Sequence, residues 1–595
     1  MKNLRNYAVD FESSYTKDRS IGTHGTIGYA AHPDTDIFMV AIVGEEIQYV
    51  GPPEEAPWEL VRGQRVIAHN FSFEFVMLRE LERRGIIKEP LNETGFCTAN
   101  LAAYLQAPRN LLDASRELLG IQLDKTTRDK FKGKNFHTLP DAIKEEIRGY
   151  ALLDAKACYT IWEKFAHLWP EHEQLLSTHT TMMGHRGIPV NEEAVENGIR
   201  TYKEILWGLE KLIPWATTNP VLSLPQLRDA CRKAGIPAPE STAKDSEEFQ
   251  VWADTYAAKV PFVAAVSQYR STNRSLTVLE AMQVRTLDSR VRYGLKYCGA
   301  VPTFRWSGDT GFNAQNLPRE PVGGIDIRTM FEAPAGKSFI SADMSQIEPR
   351  VTLWLTGNTS QLGDIRQGMC VYEVHARQTM GYDLSISLKE AAKKEEKYAR
   401  MRQAAKARVL GLSYGQYSRG FQVYAKTFGL ELTIDEAEHQ VKQFRAMNPL
   451  LVKFWQSLEL GMKQSRGSTF KLENPNGRTM QYFDVTVGRN EKGFPDYRAR
   501  TVMGGVPTYY TAGKLMNNCS QGIARDVFAE KITEIEYRLG LPVVLTVHDE
   551  VLVEVDAADA KDAQREISRV MATAPQWMPD IPLASDCNIM QVYEK

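Results

Sequence analysis

Cysteine is scarce and scattered. Seven cysteines, at positions 97, 158, 231, 298, 370, 519 and 587, form no CxxC pair anywhere in 595 residues. That excludes a zinc ribbon and argues against a disulfide framework, and a reducing cytoplasm is the expected setting. No uninterrupted apolar run is long enough to span a bilayer, so no membrane partner is expected. The stretch from Met1 to Asp10 is polar and soon acidic, without the apolar core of a signal peptide. Internal repeats and low-complexity tracts are missing. Net charge is also missing: 72 basic residues face 74 acidic ones. A chain with this balance that handled nucleic acid would have to sort its charges, basic grooves for phosphate and acidic clusters for metal.

The chain is too long for one hydrophobic core, and several folding units are expected. Strand-like stretches at Tyr7–Phe11, Ile37–Val43, Ile47–Val50 and Val66–Ala68 precede helical ones ending at Ile143–Phe165. The fold class is α/β and multidomain. Residues 190–290 read as mostly helical, and strands and helices mix from about 295 onward. The polar, glycine-containing Gly488–Arg500 segment reads as a surface loop or hairpin.

Charge sorting is visible in three places. In Leu541–Val555 two β-branched apolar runs flank His548-Asp549-Glu550, the pattern of a hairpin with an acidic tip. Strand Ser338–Ala342 delivers Asp343, and a helix carrying Glu348 and Arg350 follows, with Pro349 in its first turn. Adjacent carboxylates at strand ends are costly unless a cation neutralises them. If Asp343 and Asp549 converge, they can hold two divalent ions roughly 3.5–4 Å apart, the arrangement for in-line displacement at phosphorus. Oxygen ligands suit Mg²⁺, and Mn²⁺ can substitute. In Glu396–Gly415, Arg402, Lys406, Leu410 and Tyr414 recur every fourth residue, which on a regular helix aligns them along one face. Their span of roughly 18 Å matches a nucleotide laid along the helix, triphosphate by the cations and base by the aromatic ring.

These segments together resemble family A DNA polymerases, the bacterial DNA polymerase I type. Asp343-x-Ser-Gln-Ile-Glu-x-Arg350 resembles the family's motif A, Arg402-x3-Lys406-x7-Tyr414-Gly415 its motif B, and His548-Asp549-Glu550 its motif C. Asn517-x3-Gln521-Gly522 resembles the helix that contacts the nascent pair from the minor groove. Thr303-x-Arg305-x-Ser307 and Gln315-Asn316 resemble the segment that holds primer end and template. The resemblance spans residues ~190–595. It implies a right-hand polymerase: connecting helices and thumb at 171–295, palm at 296–375 and 505–595, fingers at 376–504. It implies Asp343 and Asp549 as metal ligands with Glu550 nearby, and Glu348 under the sugar. Arg402, Lys406 and His375 would bind triphosphate, with Lys406 the general acid for pyrophosphate. Leu410, Tyr414 and His548 would complete the substrate site. Arg305, Asn517 and Gln521 would read minor-groove acceptors common to all correct pairs. Three positions depart from the family pattern: Leu410 for an aromatic, Pro349 for Leu and Phe304 for Gly.

The N-terminal part carries a second acidic set. Asp10 and Glu12 alternate to one face of a strand, and Tyr150 and Asp154 share one face of a helix. With His69-Asn70-Phe71-Ser72-Phe73-Glu74 and Asn110–Asp113 they resemble a DEDD 3′→5′ exonuclease in its tyrosine variant, a ribonuclease H-like domain over residues 1–170. Asp10, Glu12, Glu74 and Asp154 would hold two further Mg²⁺ ions, and Tyr150 would orient water. Glu74 stands where the family places Asp. No room is seen ahead of this domain for a 5′→3′ nuclease. The resemblance implies a monomeric phage replication enzyme in the host cytoplasm. It would use primer-template DNA and dNTPs, with a helicase and single-strand binding protein as replisome partners. A repair or translesion polymerase, or a nuclease whose second half only grips DNA, are the alternatives.

Overall fold

The computed structural model describes residues 4–124, 133–241, 247–309, 311–489 and 495–594. The first sheet contains β1 (Asn6–Ser13), β2 (Ile37–Val43), β3 (Gln48–Gly51), β4 (Arg65–Ala68) and β5 (Thr94–Cys97), in the order β3-β2-β1-β4-β5. β1 and β2 are antiparallel, as are β2 and β3; β1, β4 and β5 run parallel. β2 is buried at every position, as a strand covered on both faces must be. In β1, Val9 and Phe11 are buried while Asp10 and Glu12 lie half-exposed on the other face. β5 was not anticipated: its Gly95 breaks the apolar pattern. A side chain there would collide with the Phe71 ring, so packing demands the glycine.

The described residues of 190–290 are mostly helical, as expected. Helices Glu192–Glu210 and Pro261–Arg285 pack together, and Leu209, Trp215, Leu227, Phe249 and Phe262 form a core of their own. A four-stranded antiparallel sheet, in the region expected to be the palm, contains Val543–Val547, Glu550–Asp556, Lys337–Met344 and Ser585–Met590, in that spatial order. Helix Ala560–Ala572 covers it. Helices Leu388–Lys394, Glu396–Ala407, Ser418–Lys426, Ile434–Met447 and Pro449–Gln464 fall in the region expected to be the fingers. A second antiparallel sheet follows, with strands Phe470–Glu473, Thr479–Arg489, Pro495–Arg500 and Thr508–Tyr510 in sequence order. The expected loop or hairpin at 488–500 is a hairpin, with its tip, residues 490–494, outside the described residues. Among the described residues no helix is long and apolar enough to cross a membrane.

Buried polar contacts suture these parts. The buried Gln106 side chain donates from Nε2 to the carbonyls of Gln481 (2.9 Å) and Thr501 (2.7 Å), and its Oε1 accepts from Gln481 N (2.7 Å). Arg109 donates to the Tyr297 carbonyl at 2.7 Å. Arg525 donates to the buried Glu173 carboxylate at 2.9 Å, and Arg186 to Glu536 at 3.0 Å.

Candidate active sites

The palm sheet fixes the first acidic set. Asp343 lies near the end of a central strand, directly opposite Glu550. The strands of the expected hairpin meet at His548-Asp549, where His548 adopts the left-handed conformation (φ 57°) that a two-residue hairpin turn requires. The Asp549 carbonyl accepts from Met344 N at 3.1 Å, which ties the turn to the strand end bearing Asp343. Burial, and then the charge of Asp343, push the Asp549 carboxyl up to about 7. Glu550 is buried beneath them, accepting from Ser341 Oγ at 2.5 Å and Tyr593 OH at 3.1 Å. Both its oxygens are engaged, so it supports the site from below.

Helix Ile347–Leu355 follows, with Pro349 in the first turn as expected, where its missing N–H costs nothing. Glu348 on that turn joins three segments. It pairs with Arg305 at 2.8 Å and accepts from Tyr414 OH at 3.4 Å.

The cationic helix differs from expectation. It is α-helical over Glu396–Ala407 but a π-turn over Arg408–Leu412. Arg402 and Lys406 precede the π-turn and share a face. The extra residue in the turn breaks the four-residue register, so Leu410 and Tyr414 are not simple continuations of the stripe. Leu410 packs against the apolar core beneath the fingers, and Tyr414 reaches Glu348. Arg402 Nε is buried without a hydrogen-bond partner among the described residues. Burial, and then Arg402, lower the Lys406 ammonium.

His375 does not join them. It sits on helix Val371–Thr379, buried, bonded to Thr379 Oγ1 at 3.1 Å and packed on the Phe444 ring. Burial, and then the nearby Arg408, bring it down to about 3, which keeps it neutral. The residue facing the cations is Tyr372, three positions earlier, whose ring lies 5.9 Å from Lys406 Nζ. His375, expected at the triphosphate from its resemblance to the family's histidine, instead lies buried one helical turn beyond Tyr372.

The remaining polymerase-side residues fall close by. Asn517 and Gln521 are successive-turn neighbours on helix Ala512–Thr533, with Gln521 Nε2 3.4 Å from Asn517 Oδ1. Gln315 donates to the Thr546 carbonyl at 3.2 Å, beside the His548 turn. Phe304 has φ 64°, the left-handed conformation that glycine adopts without strain. Its fully buried ring, under the Arg478 guanidinium at 4.2 Å and near Tyr104, offsets that strain.

The second acidic set lines one cleft of about 460 Å³, where Asp10, Glu12, Glu74, Tyr150 and Asp154 meet. Glu74 comes from the first turn of helix Phe71–Arg83, and Tyr150 and Asp154 from helix Asp141–Phe165. Burial, and then Asp10, push Glu74 well above the ordinary carboxylate range, and its Oε2 is buried without a partner among the described residues. Burial and Asp154 likewise raise the Tyr150 phenol. His69 is held structurally, bonded to Thr98 Oγ1 at 2.9 Å and the Arg109 carbonyl at 2.7 Å. Asn110 caps the expected helix start, accepting from Asp113 N at 2.9 Å. Among the described residues no three His, Cys, Asp or Glu side chains already close into a metal cage. The donor chemistry still fits a hard divalent cation in both places. All donors are carboxylate oxygens, one is orphaned and buried, and Asp549 and Glu74 are each crowded by a second acid.

Strand-end carboxylates facing a cationic helix are the equipment of a nucleotide-handling enzyme. The model for DNA polymerase family A matches residues 222–595, more than half of the chain, and the chain belongs to that family. It is 24% identical to a DNA polymerase of Bacillus phage SP02 over the full length of both proteins. It is 24% identical to DNA polymerase I of Aquifex aeolicus, covering 92% of this chain and 91% of that one. A solved structure described as the POL domain of Pol1 from M. smegmatis in complex with DNA primer-template and dNTP shares the fold. Its TM-score is 0.69 at 17% identity, over 99% of this chain and 96% of that one.

Proposed function

We propose that this family A polymerase extends a primer 3′ end on a DNA template with dNTPs, using two Mg²⁺ ions held by Asp343 and Asp549. We propose further that residues 1–170 remove mispaired 3′ ends with a second pair held by Asp10, Glu12, Glu74 and Asp154. The carrying observation is the junction of the two acids: Asp549 sits in a turn tied to the strand that bears Asp343 near its end, and burial and then Asp343 raise the cost of the Asp549 charge. The chemistry supplied by bound ions is activation of the primer hydroxyl and stabilisation of the departing pyrophosphate. The chain's own groups supply the rest. Arg402, with its free Nε, and Lys406 bind the triphosphate, and Tyr372 backs Lys406. A depressed ammonium gives up its proton more readily, which suits Lys406 to protonate the leaving oxygen. Glu348, held by Arg305 and Tyr414, forms a fixed floor against a 2′-hydroxyl. Arg305, Asn517 and Gln521 inspect the minor groove. In the second site Tyr150 orients the attacking water.

The similarity to a phage DNA polymerase over its whole length supports a role in phage DNA replication. Primer extension with Mg²⁺ tests the assignment. Asp549→Ala abolishes synthesis and leaves single-strand digestion, while the double change Asp10→Ala, Glu12→Ala does the reverse. Synthesis retained by Asp549→Ala, or digestion retained by the double variant, overturns the corresponding half.

A further inference from the structure

Beside the carboxylate cleft lies a second cavity of about 390 Å³. Ile21, Gly22 and Asn70 line both, so the two adjoin along these residues. One side of the second cavity is helix Ile21–Ala31, where Gly22, Gly25 and Gly28 leave the backbone bare. The far side is built from His185, Arg285, Arg292 and Asp309.

Its charges do not balance. Arg285 is buried and donates to carbonyls, those of Gly22 at 3.1 Å and Ala281 at 3.3 Å. Arg292 donates to the Arg186 carbonyl at 2.6 Å, and its Nε is buried with no partner among the described residues. The carboxylate beside it, Asp288, is 3.9 Å away and 82% exposed, too solvated to neutralise it. Asp309 pairs with Lys296 at 3.3 Å. His185 is bonded to Ser72 Oγ at 3.2 Å, and burial brings it down to about 4, so it adds no charge near neutrality. Arg285, buried, and Arg292, partly buried, thus line a cavity that adjoins the carboxylate cleft. Desolvating a cation without an anion costs free energy, and a guanidinium fork matches phosphate oxygens.

We propose that Arg285 and Arg292 seat a backbone phosphate of single-stranded DNA whose 3′ end lies in the carboxylate cleft, a proposal that rests on the exonuclease reading. The seat holds the frayed strand while its terminal nucleotide is cut. Phosphate on a released deoxynucleoside 5′-monophosphate has the same chemistry, and the test separates the two sources.

The full-length Asp10→Ala, Glu12→Ala protein is titrated with a 5′-labelled single strand at several salt concentrations, with and without Arg292→Gln. The expected result is roughly tenfold weaker binding and a log–log salt slope shallower by about 0.7 for the lost contact. Arg292→Lys keeps the slope. Primer extension on a paired primer stays unchanged, which shows that the variant is folded. In the exonuclease-competent protein, Arg292→Gln raises KM for single strands and leaves kcat unchanged. Unchanged affinity and slope overturn the proposal. Weaker inhibition by added deoxynucleoside monophosphate, with strand affinity intact, also overturns it and assigns the seat to product. If the wild-type chain digests nothing while the binding arm succeeds, the nuclease reading fails and the phosphate seat stands.

Discussion

Tyr372 and His375 differ by one helical turn, and that turn decides which of them faces Lys406. The ring of Tyr372 stacks toward Lys406, whereas His375 is neutral and committed to Thr379 and Phe444. Tyr372→Ala therefore raises KM for dNTPs several-fold, Tyr372→Phe less so, and His375→Gln leaves it near wild type; steady-state primer extension measures all three. The reverse ranking restores His375 to the triphosphate. Glu74 makes a second case. Its Oε2 is buried without a partner among the described residues and Asp10 crowds the group, so removing its charge relieves the apo fold while removing a proposed ligand. Glu74→Gln is expected to lose digestion by at least tenfold and to melt at an equal or higher temperature without metal. A lower melting temperature, or unchanged digestion, would count against the ligand role. Acidic positions were readable because carboxylates at strand ends and at i,i+4 spacing violate the apolar pattern around them. The Tyr372 role was not, since a tyrosine in a helix looks like core.

At the scale of elements, alternation in β1, the apolar runs of the hairpin and the proline in the Glu348 helix each carry a local signal, and each element forms where that signal lies. The π-turn at Arg408–Leu412 carries none. Its residues, Arg408 to Leu412, do not by type distinguish a π-turn from an α-helix, and tertiary packing selects the wider turn. Close approach between elements is equally silent. Helix Ala512–Thr533 meets the end of the cationic helix at Gly513, where a Cβ would collide with the Tyr414 carbonyl oxygen. That carbonyl is backbone and cannot swing aside. Gly513→Ala should thus displace Tyr414 from Glu348, lowering synthesis at least tenfold and costing about 1–3 kcal/mol of stability. Primer extension and denaturant unfolding read the two effects, and full activity in the variant would show that the helices tolerate separation.

Over the whole molecule, buried ion pairs bind helices far apart in sequence. Burial alone would raise the Glu536 carboxyl, but hydrogen bonds from His179 and Arg186 outweigh it and bring it down to about 2. A depressed carboxyl contributes stability above its unfolded value near 4.5 and loses it as pH falls toward 2. Wild type should then melt well above Glu536→Gln at pH 6, with the gap closing between about pH 4.5 and 2; a constant gap would place the stabilisation elsewhere. None of these long-range pairs was legible, because nothing local in the chain marks residue 106 as the partner of residue 481.

That last pairing bears on how the molecule can be divided. Gln106 answers backbone groups of Gln481 and Thr501, and Arg109 answers Tyr297. A truncation starting at residue 171 would strip the amide partners from the fingers-side sheet and uncover the Phe304 ring that Tyr104 now shields. The first domain and the rest of the chain share a seam rather than a hinge, so a variant without the proposed digestion is better made by replacing Asp10 and Glu12 in place than by cutting the first domain away.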